Sequence, residues 1–280
     1  MTKTAKVISL IQVFVLMLFC LSSCSGGSGS GQDGEPASKT VPAGIVYESI
    51  KDFSVDCTDG SRFTLSEELK DHELVMIELF ESGCQPCAKE FSCLQEAWEE
   101  CSDKVSVIAL SCAEEDTMDV LKDYASGLDL KFAVGREEGT DLDRYASEYP
   151  AAILVDKEMR IIAGMTGNIP DVSKNTFLDW FGEYTGDNFD PSVSSYTVYA
   201  YGKENSEKIA GAVINFCTDT ACTPVRTSED MGKAVFSGTP EKYHIQVVSV
   251  PDGWQPVTKE DLYTETYSGT FYIAFEKVDQ

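Results

Sequence analysis

The sequence predicts an α/β unit followed by a small all-β sandwich. Three observations carry this. Between residues 45 and 187, short apolar runs alternate with amphipathic stretches, the pattern of a sheet covered by helices. After Asn188-Phe189-Asp190-Pro191 the chain turns to strand-like alternation without a helical stretch. The first 44 residues fit neither unit and read as an export signal followed by a tether.

The N-terminus sets the compartment. Lys3 and Lys6 precede a nearly unbroken apolar run over residues 7–21, which is too short for a comfortable membrane span, and small polar residues follow at Ser22 and Ser23. Leu21-Ser22-Ser23-Cys24 resembles a bacterial lipobox. That resemblance implies cleavage after residue 23, a lipid on Cys24, and an anchored protein on the extracytoplasmic face of the cell membrane. Residues 24–44, rich in Gly, Ser and Pro, read as a flexible tether. No other stretch is apolar and long enough to cross a bilayer. The 22 basic residues against 47 acidic give a net charge of −25, which repels phosphate backbones and excludes nucleic acid as a natural partner.

Within 45–187 the elements can be placed in order. Residues 53–64 form a hairpin turning at Asp59-Gly60, and residues 74–80 form a buried strand interrupted only by Glu78. Gly83-Cys84-Gln85-Pro86-Cys87 comes next. Cys87, Phe91, Leu94, Trp98 and Cys101 then recur at helical spacing, so the cysteine pair opens a helix. A second buried strand over 105–110, a helix over 117–125, strands over 151–155 and 160–163, and a closing helix over 172–184 complete the unit.

A cysteine at the first turn of a helix faces unpaired backbone N–H groups and the positive end of the helix dipole, both of which favour its thiolate. Cys84, nearer the tip, is therefore expected to attack, and Cys87, one turn in on the apolar face, to resolve. A zinc site is the competing reading of C-x-x-C. It wants four ligands, and His72 and His244 stand at no ligand spacing, so neither metal nor cofactor is expected.

At these residues the sequence resembles the thioredoxin fold, and within it the TlpA/ResA-like redoxin family of membrane-tethered thiol-disulfide oxidoreductases. The resemblance rests on the hairpin, the strand over 74–80, Cys84-Gln85-Pro86-Cys87, Glu90, and Tyr149-Pro150 before the strand that starts at Ala151. It implies that Glu78 relays protons to Cys87 with a raised pKa, the alternative being a solvated edge or salt bridge. It implies that Glu90 belongs to the site, where a helix so rich in glutamate also allows plain surface. It implies further that Pro150 is a cis-proline whose loop offers backbone hydrogen bonds to substrate. Gly83 departs from the tryptophan common in the family. Among Cys57, Cys93, Cys101 and Cys112 a structural pair is the plainer reading, with Cys112 as a third redox thiol the alternative.

Residues 192–280 read as a small antiparallel, immunoglobulin- or prealbumin-like sandwich. The runs 209–217, 232–236 and 243–247 resemble Cna-B modules. Cys217 and Cys222 stand where a strand-end disulfide is the natural staple; a free or second redox pair would lack the C-x-x-C spacing. Together these features point to an oxidoreductase that exchanges disulfides in exported proteins and, by the family resemblance, is recharged by a CcdA-like membrane thiol reductant. The rivals are a cell-surface interaction protein with a redox-silent thioredoxin-like part, and a thiol peroxidase, whose usual Thr-x-x-Cys site is absent.

Overall fold

Buried strands form where the apolar runs lie in the computed structural model, which describes residues 47–278 apart from 147, 187, 260 and 265. The signal segment, Cys24 and the tether lie outside the described residues. The hairpin consists of β1 (Ser54–Asp56) and β2 (Arg62–Thr64), paired antiparallel, and Gly60 at φ +87° carries the turn between them. A short helix α1 (Leu65–Asp71) leads to β3 (Leu74–Phe80), α2 (Gln85–Cys101) and β4 (Val105–Ser111). Helix α3 (Met118–Gly127) starts where the Thr117 hydroxyl accepts from the Val120 amide, 3.3 Å away. Then follow β5 (Ala133–Arg136), β6 (Ala151–Asp156), β7 (Ile161–Thr166) and α4 (Lys174–Tyr184).

Strand β3 is bonded on both sides, parallel to β4 and antiparallel to β6; β5 runs parallel beside β4, and β7 antiparallel beside β6. Every residue of β3 is buried, and successive side chains enter opposite layers. Leu74, Met76 and Phe80 join Phe91, Leu94, Phe177 and Trp180 under α2 and α4. Val75, Ile77 and Leu79 join Phe63, Leu65 and Leu69 on the other face. This arrangement is a thioredoxin-like α/β fold.

The C-terminal part is rich in β-structure: β8 (Ser194–Gly202), β9 (Val213–Cys217), β10 (Cys222–Arg226), β11 (Lys233–Gly238), β12 (His244–Ser249), β13 (Trp254–Pro256), β14 (Leu262–Tyr263) and β15 (Gly269–Lys277). Strands β10-β9-β12-β14 make one antiparallel sheet, whose apolar side meets β8, β11 and β15 around Tyr196, Phe216, Phe236, Ile245 and Phe275.

A separate, wholly antiparallel sandwich is not what forms. β15 pairs parallel with β8 and, on its other side, parallel with β7, so one layer of the C-terminal part continues the central sheet in the order β11-β8-β15-β7-β6-β3-β4-β5. The expected break between residues 187 and 192 is accordingly a connection within one sheet-sharing body, tied back by the Tyr47 hydroxyl donating to the Pro191 carbonyl at 3.1 Å. The physical reason is the edge of β7. An unpaired strand edge invites another strand, and here β15 of the same chain takes the place.

Glycines permit the join. Gly269 stands opposite Gly164, a Cβ at Gly269 would lie 2.7 Å from the Gly164 carbonyl oxygen, and the Gly164 amide donates to the Ser268 carbonyl. Among the described residues no helix is long and apolar enough to cross a membrane. Replacing Gly269 by Ala should push β15 off β7 and destabilise the fold by about 1–3 kcal/mol, the usual cost of overpacking. Urea denaturation of the variant beside the wild type measures this, and equal midpoints would show that the two strands do not meet so closely.

Candidate active site

The chain leaves the buried sheet at Phe80 and turns through Glu81, Ser82 and Gly83, a turn closed by the Cys84 amide donating to the Glu81 carbonyl at 3.0 Å. Cys84 is the N-cap of α2. Its Sγ accepts from the Cys87 amide at 3.2 Å, taking the role that a serine or aspartate oxygen usually fills, and Pro86 sits in the first turn, where its missing N–H costs nothing. No acidic residue occupies that first turn, so nothing within it offsets the positive end of the helix. Cys84 and Cys87 form a disulfide with their Cα atoms 5.3 Å apart. Cys84 is half-buried and Cys87 fully buried, so one sulfur faces outward while the other stands behind it.

Two carboxyl groups lie beneath the pair. Glu78 shares the parity of Met76 and Phe80 and so points into the layer that holds Cys87, while Glu90 lies three residues after Cys87 on the same face of α2. Glu78 is fully buried, and neither carboxyl oxygen has a hydrogen-bond partner among the described residues. Burial, reinforced by the charge of Glu90, holds its pKa well above the ordinary carboxylate range. Burial likewise pushes Glu90 up to about 8. The solvated-edge alternative for Glu78 and the surface alternative for Glu90 both fail on this burial.

Tyr149–Pro150 is a cis peptide, and the Pro150 carbonyl accepts from the Gly167 amide at 3.1 Å. Tyr149 and Cys112 pack against the same apolar layer, and burial raises the Cys112 thiol pKa to about 11. A half-buried thiol so reluctant to ionise makes a poor nucleophile.

The structural pair expected among the four remaining cysteines does not form: Cys57, Cys93, Cys101 and Cys112 are all free. For Cys93 and Cys101, and for any pair across the sheet, distance explains it. Cys93 and Cys101 lie on one helix, about 12 Å apart along its axis at 1.5 Å per residue, and a disulfide needs Cα atoms within about 7 Å. Cys57 and Cys112 lie against the opposite face of the sheet. Cys217 and Cys222 are register partners on β9 and β10, joined as a disulfide outside the thioredoxin-like part.

One acid of this site was not singled out in the sequence. Asp116, only 1% exposed, accepts from the Ser82 amide at 2.8 Å and from the hydroxyls of Ser82 and Ser111. It closes the acidic run Glu114-Glu115-Asp116, which reads as a solvated loop. The only sequence signal was its place just beyond the carboxyl end of a central strand.

A half-buried Cys84 and a fully buried Cys87 thus stand at the β3–α2 junction of a thioredoxin-like sheet. Among the comparisons, the match to a family model bears on that fold. A family model described as AhpC/TSA matches residues 46–163, the stretch from the hairpin to β7. A solved putative protein disulfide isomerase from Bacteroides thetaiotaomicron is 20% identical, with a TM-score of 0.42 over 50% of this chain and 89% of that one. A thioredoxin-family thiol:disulfide interchange protein from Chlorobium tepidum TLS is 14% identical, with a TM-score of 0.43 over 51% of this chain and all of its own. StoA from Bacillus subtilis is 17% identical, with a TM-score of 0.40 over 47% of this chain and 96% of that one. No curated protein matches the sequence.

The buried acids fix a pH dependence. Because the folded state raises the pKa of Glu90 from 4.5 to about 8, it favours the protonated form. The stability this contributes is complete below about pH 4.5 and is lost as pH rises through 8. Glu90→Gln should therefore gain on the wild type as pH increases across that window, with the two converging at its acid end. Urea midpoints at several pH values read this out; a difference that stays constant with pH would show that Glu90 ionises freely.

Proposed function

We propose that the protein is a thiol-disulfide oxidoreductase that exchanges disulfides in exported proteins through Cys84 and Cys87. The observation that carries this reading is the cap of α2: the half-exposed Cys84 sulfur receives the Cys87 amide at 3.2 Å while Cys87 waits buried behind it. An amide aimed at sulfur, together with the helix dipole, favours a thiolate there once the disulfide is reduced.

In the reduced form, the Cys84 thiolate attacks one sulfur of a substrate disulfide. A bond forms between Cys84 Sγ and that sulfur, the substrate S–S bond breaks, and one substrate thiolate leaves. Cys87 then gives up its proton and attacks Cys84 Sγ, which closes the Cys84–Cys87 disulfide and releases the second substrate thiolate. Two electrons pass to the substrate. Glu78 serves as proton acceptor for Cys87, since a carboxylate with a raised pKa is a stronger base than an ordinary one. The negative charge of Glu90 strengthens Glu78 as a base by raising its pKa further. The Tyr149–Pro150 segment and the neighbouring Gly167 form the backbone edge along which an extended substrate lies.

A CcdA-like membrane thiol reductant would restore the dithiol, and a lipid on Cys24 would hold the protein at the extracytoplasmic face. The C-terminal strands serve as a docking part; because they share the central sheet, they move with the site and are no loose spacer.

After mild reduction, Cys84 should be alkylated selectively at neutral pH. Cys87→Ala should accumulate mixed disulfides through Cys84, and Cys84→Ser should abolish disulfide exchange. If Cys84 reacts no faster than the four free cysteines and the Cys87→Ala variant traps nothing, the protein is a redox-silent interaction protein. Rapid peroxide consumption would instead move it to the peroxidases.

A further inference from the structure

The turn between β3 and α2 is closed by one backbone hydrogen bond, from the Cys84 amide to the Glu81 carbonyl, and gains little from packing. Glu81 and Ser82 are half-buried, Gly83 is exposed with open space around it, and none of the three joins either apolar layer of the sheet. Yet the position of Cys84 depends on this turn, because its sulfur must face the Cys87 amide. The side-chain contact that fixes the turn runs to Asp116, beyond the end of β4. The Ser82 amide donates to one carboxyl oxygen at 2.8 Å and the Ser82 hydroxyl to the other, while the Ser111 hydroxyl donates to the first. Two donors from one residue onto both oxygens of one carboxylate leave Ser82 little freedom to rotate.

Asp116 is also a charge. Burial works against its ionisation, but the hydrogen bonds from Ser111 and Ser82 and the nearby Arg136 guanidinium outweigh it and hold its pKa below the usual carboxylate range. It therefore stays negative at neutral pH, bonded to a residue two positions from Cys84. A second negative charge nearby makes a Cys84 thiolate costlier and opposes the helix dipole.

We propose that Asp116 is a positioning residue for the redox pair: through Ser82 it locks the turn that aims Cys84, and its fixed negative charge biases the pair toward the reducing side. The bias follows from the equilibrium. Whatever destabilises the thiolate of the reduced form makes the dithiol a better electron donor. The inference rests on the thiol-exchange reading for its purpose, but the thiol titration that tests it does not.

The two effects separate by substitution. Asp116→Asn keeps an acceptor for Ser82 and removes the charge; Ser82→Ala keeps the charge and removes the hydroxyl donor. In the reduced protein, the pH profile of alkylation, followed at the Cys84 peptide, should shift to lower pH in Asp116→Asn, with about a three- to tenfold larger thiolate fraction below the midpoint. The equilibrium constant with a glutathione redox buffer should move toward the disulfide of glutathione being left unreduced by a similar factor. Ser82→Ala should leave the midpoint in place and raise amide hydrogen exchange at Gly83 and Cys84.

A folded Asp116→Asn whose midpoint and glutathione equilibrium both stay within about twofold of the wild type would overturn the charge effect. If that variant does not fold, Ser82→Ala decides, and unchanged exchange at Gly83 and Cys84 overturns the lock. A wild type whose Cys84 titrates as expected but exchanges with no protein disulfide would defeat the functional reading and leave the role of Asp116 standing.

Discussion

The hydrogen bond from the Cys87 amide to the Cys84 sulfur holds the arrangement together, because it requires the chain to leave a rigid strand and enter a helix within four residues. The rigidity comes from β3, bonded to β4 on one side and β6 on the other and buried along its whole length. Phe80, its last residue, packs edge-on against Phe91 at 5.0 Å and stacks on Tyr124 at 5.5 Å, which ties the end of the strand to α2 and α3 at once. With both ends fixed, the turn has few conformations left, and Asp116 removes most of the remainder.

The same constraint explains why two buried carboxyls, that of Glu78 without a hydrogen-bond partner among the described residues, can persist in an apolar layer. A lone buried carboxylate is costly, and a protonated carboxyl is far less so. Glu78 and Glu90 relieve each other by remaining largely neutral in a site where two negative charges cannot comfortably coexist. The fraction that does ionise is a stronger base than an ordinary carboxylate, beside a thiol that must lose a proton to act. Asp116 takes the opposite course, since three donors from two serines keep it charged.

Much of this was legible in the sequence where one physical signal dominated. The strand over 74–80 is wholly apolar except at Glu78, and the helix from Cys87 to Cys101 repeats its apolar positions on one face, so both could be placed. The cysteine pair follows from lying between them. Elements governed by position were not legible. α1 is only seven residues long, β5 has four with a glycine among them, and β10 carries a proline and lies exposed at an edge. The Ser82–Asp116 contact joins residues 34 apart, and nothing in the acidic run at 114–116 distinguishes the one side chain that turns inward. The joining of β15 to β7 was invisible for the same reason, since strand patterns report which residues face a core and not which strand lies alongside.

That join has a kinetic side. Strand β15 reaches the sheet about a hundred residues after β7, so the neighbour of β7 is fixed only by closing a very long loop, and topologies dominated by such distant pairings fold slowly. Until that closure, a partly folded chain presents the bare flank of β7, with its row of free amides and carbonyls, to any extended peptide nearby. The interval before the last long strand arrives is the folding chain's most sticky moment, and helpers that shield strand edges matter most then.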